Sequence, residues 1–273
     1  MSYRFPAPRS RVSSEADTAW LLSSGDLRLA PNVAGWPAQE RMESALAQAF
    51  HGLGWRVHRA HPVDPQTGHG FISSQRMGME IFKHIPREAP LIVAESVWQY
   101  SHHVLAGLRS HDGPILTVAN FEGSAPGLVG LLGLNAGLTK MGVAYSTIWS
   151  VDFTDDWFLE GLRQWVTTGE IEHDDSHLKP LGTLPDSDEA ELGRQLAQEL
   201  LDDKAILGVF DEGCMGMYNA IIDDELTNAI GIYKERLSQS ALWAEMQTVT
   251  ASEAKAVVEW LVLRGMTFRF GRD

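Results

Sequence analysis

Cysteine, basic residues and long apolar runs are all scarce in this sequence of 273 residues. Its single cysteine, Cys214, excludes an internal disulfide. The sequence has only 22 lysines and arginines against 36 acidic residues, which gives a net charge of −14. This charge argues against nucleic acid or an anionic membrane as a partner, because both need a positively charged protein surface. No apolar run approaches the roughly 20 residues of a membrane helix, and no secretory signal pattern opens the chain. These absences predict a soluble, cytoplasmic protein.

What is present is an α/β pattern with enough apolar residues, 44%, for a hydrophobic core. Short apolar runs predict strands near 18–22, 55–57, 91–94, 115–119 and 143–148, with a helical pattern between successive strands. We expect the first of these helices to begin near Pro37. Strands and helices that alternate in this way predict a Rossmann-like domain with a parallel sheet over residues 17–150, preceded by an N-terminal arm at 1–16.

A second, less complete α/β domain is predicted at 188–273, after a connecting helix and an acidic linker at 151–187. Asp186 and Glu189 resemble a helix start, and Thr250 with Glu253 begins the last helix. Strands are expected at 205–210 and 266–270, and a largely helical stretch at 226–246. Because two parallel strands cannot bury both of their faces, we expect this domain to be truncated.

The first candidate site is the loop that leaves the predicted strand 205–210. Ligands collect at the carboxyl ends of strands in open α/β sheets, which makes Asp211 and Glu212 candidates for a general base or for metal ligands. The alternative is that they only stabilise the loop or a helix start. Cys214, with no histidine near it in sequence, fits a small buried residue better than a nucleophile.

A second candidate is the loop from Asn120 to Gly127, which follows a strand and precedes a helix. It lacks the lysine and the glycine spacing of a phosphate loop, and Glu122 would repel a phosphate. Asn120 and Glu122 instead suit the hydroxyl groups of a sugar. The alternative is a tight turn with no ligand.

Two further groups of residues each allow two interpretations. Trp98, close in sequence to His102 and His103, can stack on the apolar face of a sugar or pack in the core. His173 and His177 are spaced as metal ligands on a helix would be, but their polar surroundings favour a solvated loop.

Several of these segments together resemble one known family, the L-fucose isomerases, which include D-arabinose isomerases. The most specific match is Phe210-Asp211-Glu212-Gly213-Cys214-Met215-Gly216-Met217-Tyr218-Asn219-Ala220-Ile221, continued by residues 231–239. The run Ser96-Val97-Trp98-Gln99-Tyr100 and the loop 120–127 are similar to the family's N-terminal Trp-x-Tyr segment and glycine-rich turn. The resemblance covers about 17–273 and is to a divergent, shorter branch.

The resemblance implies a cytoplasmic aldose–ketose isomerase of carbohydrate metabolism, a homo-oligomer (trimer or hexamer) whose subunits share active sites. It implies manganese as the cofactor, with ligands outside this chain, because the family's glutamate, aspartate and histidine ligands have no counterpart in these residues. The matched positions at the sugar are Trp98, Arg28 and Met215. The chain would then carry the N-terminal region for substrate recognition and oligomerisation. The alternative is a non-catalytic sugar-binding or regulatory module with the same fold.

Overall fold

The computed structural model of the chain describes residues 17–180, 182, 187–212, 216–269 and 271. Five strands form one parallel sheet in the order β2-β1-β3-β4-β5. They are Thr18–Leu22 (β1), Arg56–Arg59 (β2), Leu91–Glu95 (β3), Ile115–Asn120 (β4) and Ser146–Ser150 (β5). The predicted α/β fold with a Rossmann-like parallel sheet is confirmed.

Helices cover both faces of this sheet. They are Leu29–Gly52 (α1), Gln75–Phe82 (α2), His102–Arg109 (α3), Gly127–Met141 (α4) and Asp156–Thr168 (α5). One apolar core contains residues of α1 and α5, and a second contains residues of α2, α3 and α4. All side chains of β3 and β4 are buried between the two cores, which explains why these strands have continuous apolar sequences.

The start of α1 differs from the prediction. The helix begins at Leu29, eight residues before Pro37, which lies inside it. Pro31 falls in its first turn, where a missing backbone N–H costs nothing. The side chain of Asn32 accepts a hydrogen bond from the backbone N–H of Asp26 at 2.8 Å and donates one to the Asp26 carbonyl at 2.8 Å. These bonds connect the end of β1 to the new helix.

The second part of the chain contains a two-stranded parallel sheet, Ala205–Phe210 (β6) and Ile232–Leu237 (β7). Its helices are Asp188–Asp203 (α6), Asp224–Asn228 (α7), Gln239–Met246 (α8) and Ala251–Leu263 (α9). The hydroxyl of Ser187 caps α6 by accepting from the N–H of Ala190 at 3.2 Å, and Asp186, the predicted cap, lies outside the described residues. The predicted capping box at the start of α9 is confirmed.

Two predictions for this region are wrong. Residues 232–237 form a strand although their Lys-Glu-Arg run favours a helix, because they pair in register with β6 from Ala205↔Ile232 to Phe210↔Leu237. No strand is present at 266–269, and Phe270 lies outside the described residues. A run of apolar residues predicts a strand, but only a neighbouring strand provides its hydrogen bonds.

The chain divides into two compact units. The described residues up to 182 and the segment 216–222 belong to the first, and 187–212 with the residues from 223 onward belong to the second. The prediction had placed 216–222 in the second domain. Among the described helices, none has the length and apolar character that a membrane crossing requires.

Candidate functional site

The carboxyl edge of the five-stranded sheet concentrates polar side chains. β3 ends at Glu95, β4 at Asn120 and β5 at Ser150, and Asn120 pairs in register with Ser150. The strand order reverses between β1 and β3, and in open α/β sheets such a reversal opens a crevice at the carboxyl ends of the strands. The edge is therefore the place where this fold offers a ligand site.

A cleft of about 210 Å³ lies at this edge, between α1 and the loops that follow β4 and β5. We call it the sheet-edge cleft. Its polar lining residues are Arg41, Asn120, Glu122 and Asp152, and the others are Ala38, Met42, Ala45, Val151 and Phe153. The structure thus brings together two of the residues that the sequence proposed for a sugar, Asn120 and Glu122.

Asn120 is the most informative residue of the cleft. Its side chain is only 5% exposed, and only one of its two polar atoms has a hydrogen-bond partner in the described structure. Its Nδ2 donates to Glu122 Oε1 at 3.4 Å, whereas its Oδ1 has no hydrogen-bond partner among the described residues. A buried amide oxygen without a partner is costly, and such groups are common where a ligand completes the hydrogen bonding. Asn120 Oδ1 is therefore a hydrogen-bond acceptor without a partner in the described structure, on a residue that lines the cleft.

The charges of the cleft are mixed. Arg41 is the single lysine or arginine among its described lining residues, and it faces two carboxylates, Glu122 and Asp152. The hydroxyl and N–H of Thr154 donate to Asp152 at 2.7 and 3.0 Å and hold the pKa of this carboxyl below its ordinary value. The cleft thus offers both donors and acceptors, which matches hydroxyl groups better than a phosphate.

Gly127, the first residue of α4, closes the loop tightly behind Asn120. A Cβ at this position would overlap Asn120 Oδ1 and would lie 2.8 Å from the Glu95 carbonyl oxygen. Only glycine allows the helix to begin so close to the ends of β3 and β4. The loop is therefore a tight turn, as one alternative proposed, and it also forms part of the cleft wall through Asn120 and Glu122.

A polar network fixes the neighbouring strand ends. The Arg59 guanidinium donates to Glu43 Oε2 at 2.8 Å, to the His61 carbonyl at 2.5 Å and to Ser23 Oγ at 3.1 Å, and it lies 5.0 Å from the Trp36 ring centroid. These contacts connect α1 with the loops that follow β1 and β2.

Gln39 extends this network to the loop after β3. Its Nε2 donates to Glu43 Oε1 and to the Ala94 carbonyl, both at 3.0 Å. Its Oε1 accepts from the N–H and the hydroxyl of Ser96 at 3.0 and 2.8 Å. These bonds fix Ser96, the first residue of the loop that leads to Trp98.

Glu95 is a fully buried carboxyl at the centre of the edge. Neither of its oxygens has a hydrogen-bond partner among the described residues. Burial raises the pKa of Glu95 well above its ordinary value. The backbone N–H of Ser24, which lies near the carboxyl but outside hydrogen-bond geometry, acts against this increase, and the Glu43 carboxylate acts in the same direction as burial. Glu95 therefore carries a proton under conditions in which exposed glutamates are ionised.

The loop after β3 and the first turn of α3 contain further buried polar atoms without partners in the described structure. Among the described residues these include Trp98 Nε1, Gln99 Oε1 and His103 Nε2. His103 Nδ1 lies 3.0 Å from the Ile72 carbonyl, which can only accept, so Nδ1 carries the proton and Nε2 is an unprotonated acceptor. Trp98 is half-buried, so its ring contributes to packing even if it also contacts a ligand.

Arg28 lies on the loop after β1, at the start of α1. Its side chain is exposed and pairs with Asp26, with Nε at 2.9 Å from Oδ1 and Nη2 at 2.7 Å from Oδ2. This ion pair holds the pKa of Asp26 below its ordinary value. A ligand of Arg28 would have to share the guanidinium with Asp26.

The remaining predicted residues lie at the end of β6 or outside the described part. Met215 and Cys214 are outside it. Asp211 accepts from Gln239 Nε2 at 2.6 Å. Glu212 accepts from Lys234 Nζ at 2.5 Å and from Arg236 Nε at 2.7 Å, and these two cations also bond Asp224. In the described structure Asp211 and Glu212 thus have protein partners that stabilise the end of β6.

A manganese site does not fit the described residues. They contain no group of three or more histidine, cysteine, aspartate or glutamate side chains arranged to hold a metal ion. The segment around His173 and His177 has no helix, as the loop alternative predicted.

Sequence reasoning missed three features of the edge. Arg41 and Asp152 gave no signal because they reach the sheet-edge cleft from separate elements, α1 and the loop after β5. Glu95 did give a signal, because it is a charged residue that directly follows a continuous apolar run.

Comparison with models of known protein families finds no match for this chain, and comparison with curated proteins finds none either.

Proposed function

We propose that this protein binds a small polyhydroxylated ligand of the sugar class in the sheet-edge cleft. The observation that carries the proposal is the buried Asn120 side chain, whose Oδ1 has no partner in the described structure and which lines a cleft with Glu122, Asp152 and Arg41. A sugar hydroxyl can donate to Asn120 Oδ1 or a carboxylate, and another can accept from Arg41.

Aldose–ketose isomerisation of the L-fucose isomerase type is the activity that we propose for this ligand. The support is the resemblance of residues 96–100, 120–127 and 210–221, together with the match between Asn120, Glu122 and a sugar. In this proposal the first unit binds and orients the substrate. A cytoplasmic location and assembly into a trimer or hexamer belong to the same proposal and rest on the same resemblance.

A second candidate is a sugar-binding or regulatory module without catalysis. It is favoured by the state of the predicted catalytic carboxylates, because Asp211 and Glu212 are engaged by Gln239, Lys234 and Arg236. The two candidates share the cleft and differ in their need for metal.

Calorimetric titration of the full chain with aldoses and ketoses, with and without manganese, tests the proposal. Glu122→Gln removes a charged acceptor from the cleft, and we expect binding to weaken by about 10-fold or more. The matched control is Glu88→Gln, which removes an exposed carboxylate from the turn before β3, at the amino edge of the sheet, and should bind like the wild type.

The outcomes separate the candidates. Sugar binding together with aldose–ketose interconversion in manganese supports the isomerase. Metal-independent binding without interconversion supports the module. Absence of binding by every sugar at millimolar concentration, or equal losses in both variants, would refute the sheet-edge cleft as a sugar site.

A further inference from the structure

A second cleft lies beside the outer strand of the first sheet, and the rings of Trp157 and His173 form an aromatic wall of it, with Trp149 packed against both rings. Trp149 of β5, Trp157 of α5 and His173 contact one another, with centroid distances of 5.1 Å between the indoles and 5.8 Å between Trp157 and His173. Trp157 is 47% exposed although it is a large apolar side chain. An exposed aromatic wall of this kind is a feature of binding surfaces.

Hydrogen bonds to the sheet and to α5 hold this wall in place. His173 Nε2 donates to the Thr147 carbonyl of β5 at 2.9 Å, since a carbonyl can only accept. The N–H of Ile171 donates to Ser146 Oγ at 3.1 Å, and the N–H of Glu172 donates to Gln164 Oε1 at 3.2 Å. Residues 171–173 are therefore fixed along β5 although they belong to no helix or strand.

The cleft that these residues enclose has a volume of about 370 Å³, and we call it the indole cleft. Its floor is apolar and includes Ile148, Gly161 and Ile171. A Cβ at Gly161 would lie 2.5 Å from Ile148 Cδ1, so the absence of a side chain there lets α5 approach the strand. The floor therefore suits an alkyl chain.

The charges of the indole cleft have one sign. It is lined by the carboxylates of Asp156, Glu160, Glu172 and Asp174, and no lysine or arginine belongs to its described lining. Glu160 has a protein cation as its partner, Arg163, whereas the other three have no ion pair within the described chain. The Ser176 hydroxyl and the Ser176 N–H, which donates to Asp174 at 2.9 Å, hold the pKa of this carboxyl below its ordinary value, so Asp174 is ionised at neutral pH.

Aromatic rings and carboxylates around an apolar floor are complementary to an organic cation. An ammonium group is attracted to the face of an indole, and carboxylates accept its hydrogen bonds. We propose that the indole cleft binds a short alkyl diammonium ion, with its chain on the floor, one ammonium group against Trp157 and the carboxylates, and the other at Glu172 and Asp174. Two positive charges fit three carboxylates that lack an ion pair, and the net charge of −14 favours the approach of such a ligand.

Titration of the full chain with 1,4-diaminobutane at low ionic strength, followed by tryptophan fluorescence and by calorimetry, tests this proposal. We expect saturable binding, and the uncharged isostere 1,4-butanediol should not bind. Trp157→Ala removes the ring and should weaken binding by about three- to fivefold, whereas Trp157→Phe should keep most of the affinity. The double variant Glu172→Gln, Asp174→Asn should weaken it by about 10-fold, and Glu88→Gln is the control.

Each outcome is decisive for the cleft and independent of the sugar site. Equal binding of the diol and the diamine would overturn the proposal, because the carboxylates would then have no role. Diamine binding that Trp157→Ala and the double variant leave unchanged would show only attraction to an acidic surface, and would also overturn it. Sugar binding by the same preparation distinguishes failure of this inference from failure of the proposed function, because Glu122 does not line the indole cleft.

Discussion

Replacement of Glu95 by glutamine changes how the stability of the protein depends on pH. Glu95 is fully buried and has no hydrogen-bond partner among the described residues, and burial holds its pKa well above the ordinary value of 4.5. Glutamine has nearly the same shape and stays neutral at every pH. The variant therefore removes the ionisation and leaves the packing of β3 almost unchanged.

Proton linkage determines whether the free energy of unfolding rises or falls with pH. Above pH 4.5 the unfolded chain loses the Glu95 proton while the folded chain keeps it, so the unfolded state binds fewer protons and the free energy of unfolding falls as the pH rises. One proton corresponds to about 1.4 kcal/mol for each pH unit. Relative to Glu95→Gln, the free energy of unfolding of the wild type therefore falls by at most about 1.4 kcal/mol for each pH unit above 4.5. The difference levels off at the pKa of Glu95 in the folded protein.

Urea unfolding at pH 4.5 to 8, followed by tryptophan fluorescence and circular dichroism, measures this difference. At pH 4.5 the two proteins should differ by less than about 1 kcal/mol, because a neutral acid and an amide pay similar costs of burial. Glu88→Gln, at an exposed glutamate, should show no such trend. A difference between Glu95→Gln and the wild type that stays constant across this range would refute a protonated Glu95.

The other predictions concern the strand ends and the second unit. Arg59→Met leaves the Glu43 carboxylate without its cation, and urea unfolding should show a loss of roughly 2–3 kcal/mol, below that for a fully buried pair because both side chains keep some solvent contact. Gly127→Ala forces a methyl group against Asn120, and the loss of about 1–3 kcal/mol should be accompanied by weaker sugar binding. Thr250→Ala removes the cap of α9, and hydrogen exchange should show faster opening of that helix, by about 1 kcal/mol, with no change in β3.

Most of the first unit could be predicted because its central strands, β3 and β4, are buried on both faces. β3 and β4 have continuous apolar sequences, and helical periodicity between them leaves few arrangements other than a parallel sheet. The start of α1 was predicted too late, since a proline in a first helical turn, Pro31, has the same sequence signal as a proline in a loop. Local patterns do not distinguish these two uses.

The second unit was harder to predict for a physical reason. The Lys-Glu-Arg run of β7 has helix-forming residues, and its strand conformation depends on pairing with β6, 27 positions earlier at Ala205↔Ile232. Pairing at such a distance has no local signal. The same explanation holds for the ion pairs of Glu212 with Lys234 and Arg236, which the sequence could not place.

The candidate sites, too, could be predicted only where their residues are close together in sequence. Asn120 and Glu122 could be found because they directly follow a strand, and the fold fixes where such residues lie. Arg41, Asp152, Trp157 and His173 reach their clefts from different elements, so no spacing in the sequence connects them.

The uneven burial of the two units bears on function. Side chains of β6 are exposed on both faces, with Ile206 at 75%, and α6, α8 and α9 contain no buried residue within the described chain. Parallel strands without covering layers have little to hold them together, so this unit should open at a lower free energy than β3 and β4. The described lining residues of both clefts all belong to the first unit. Ligand binding in either should therefore depend on the five-stranded sheet, and should persist when the second unit opens locally.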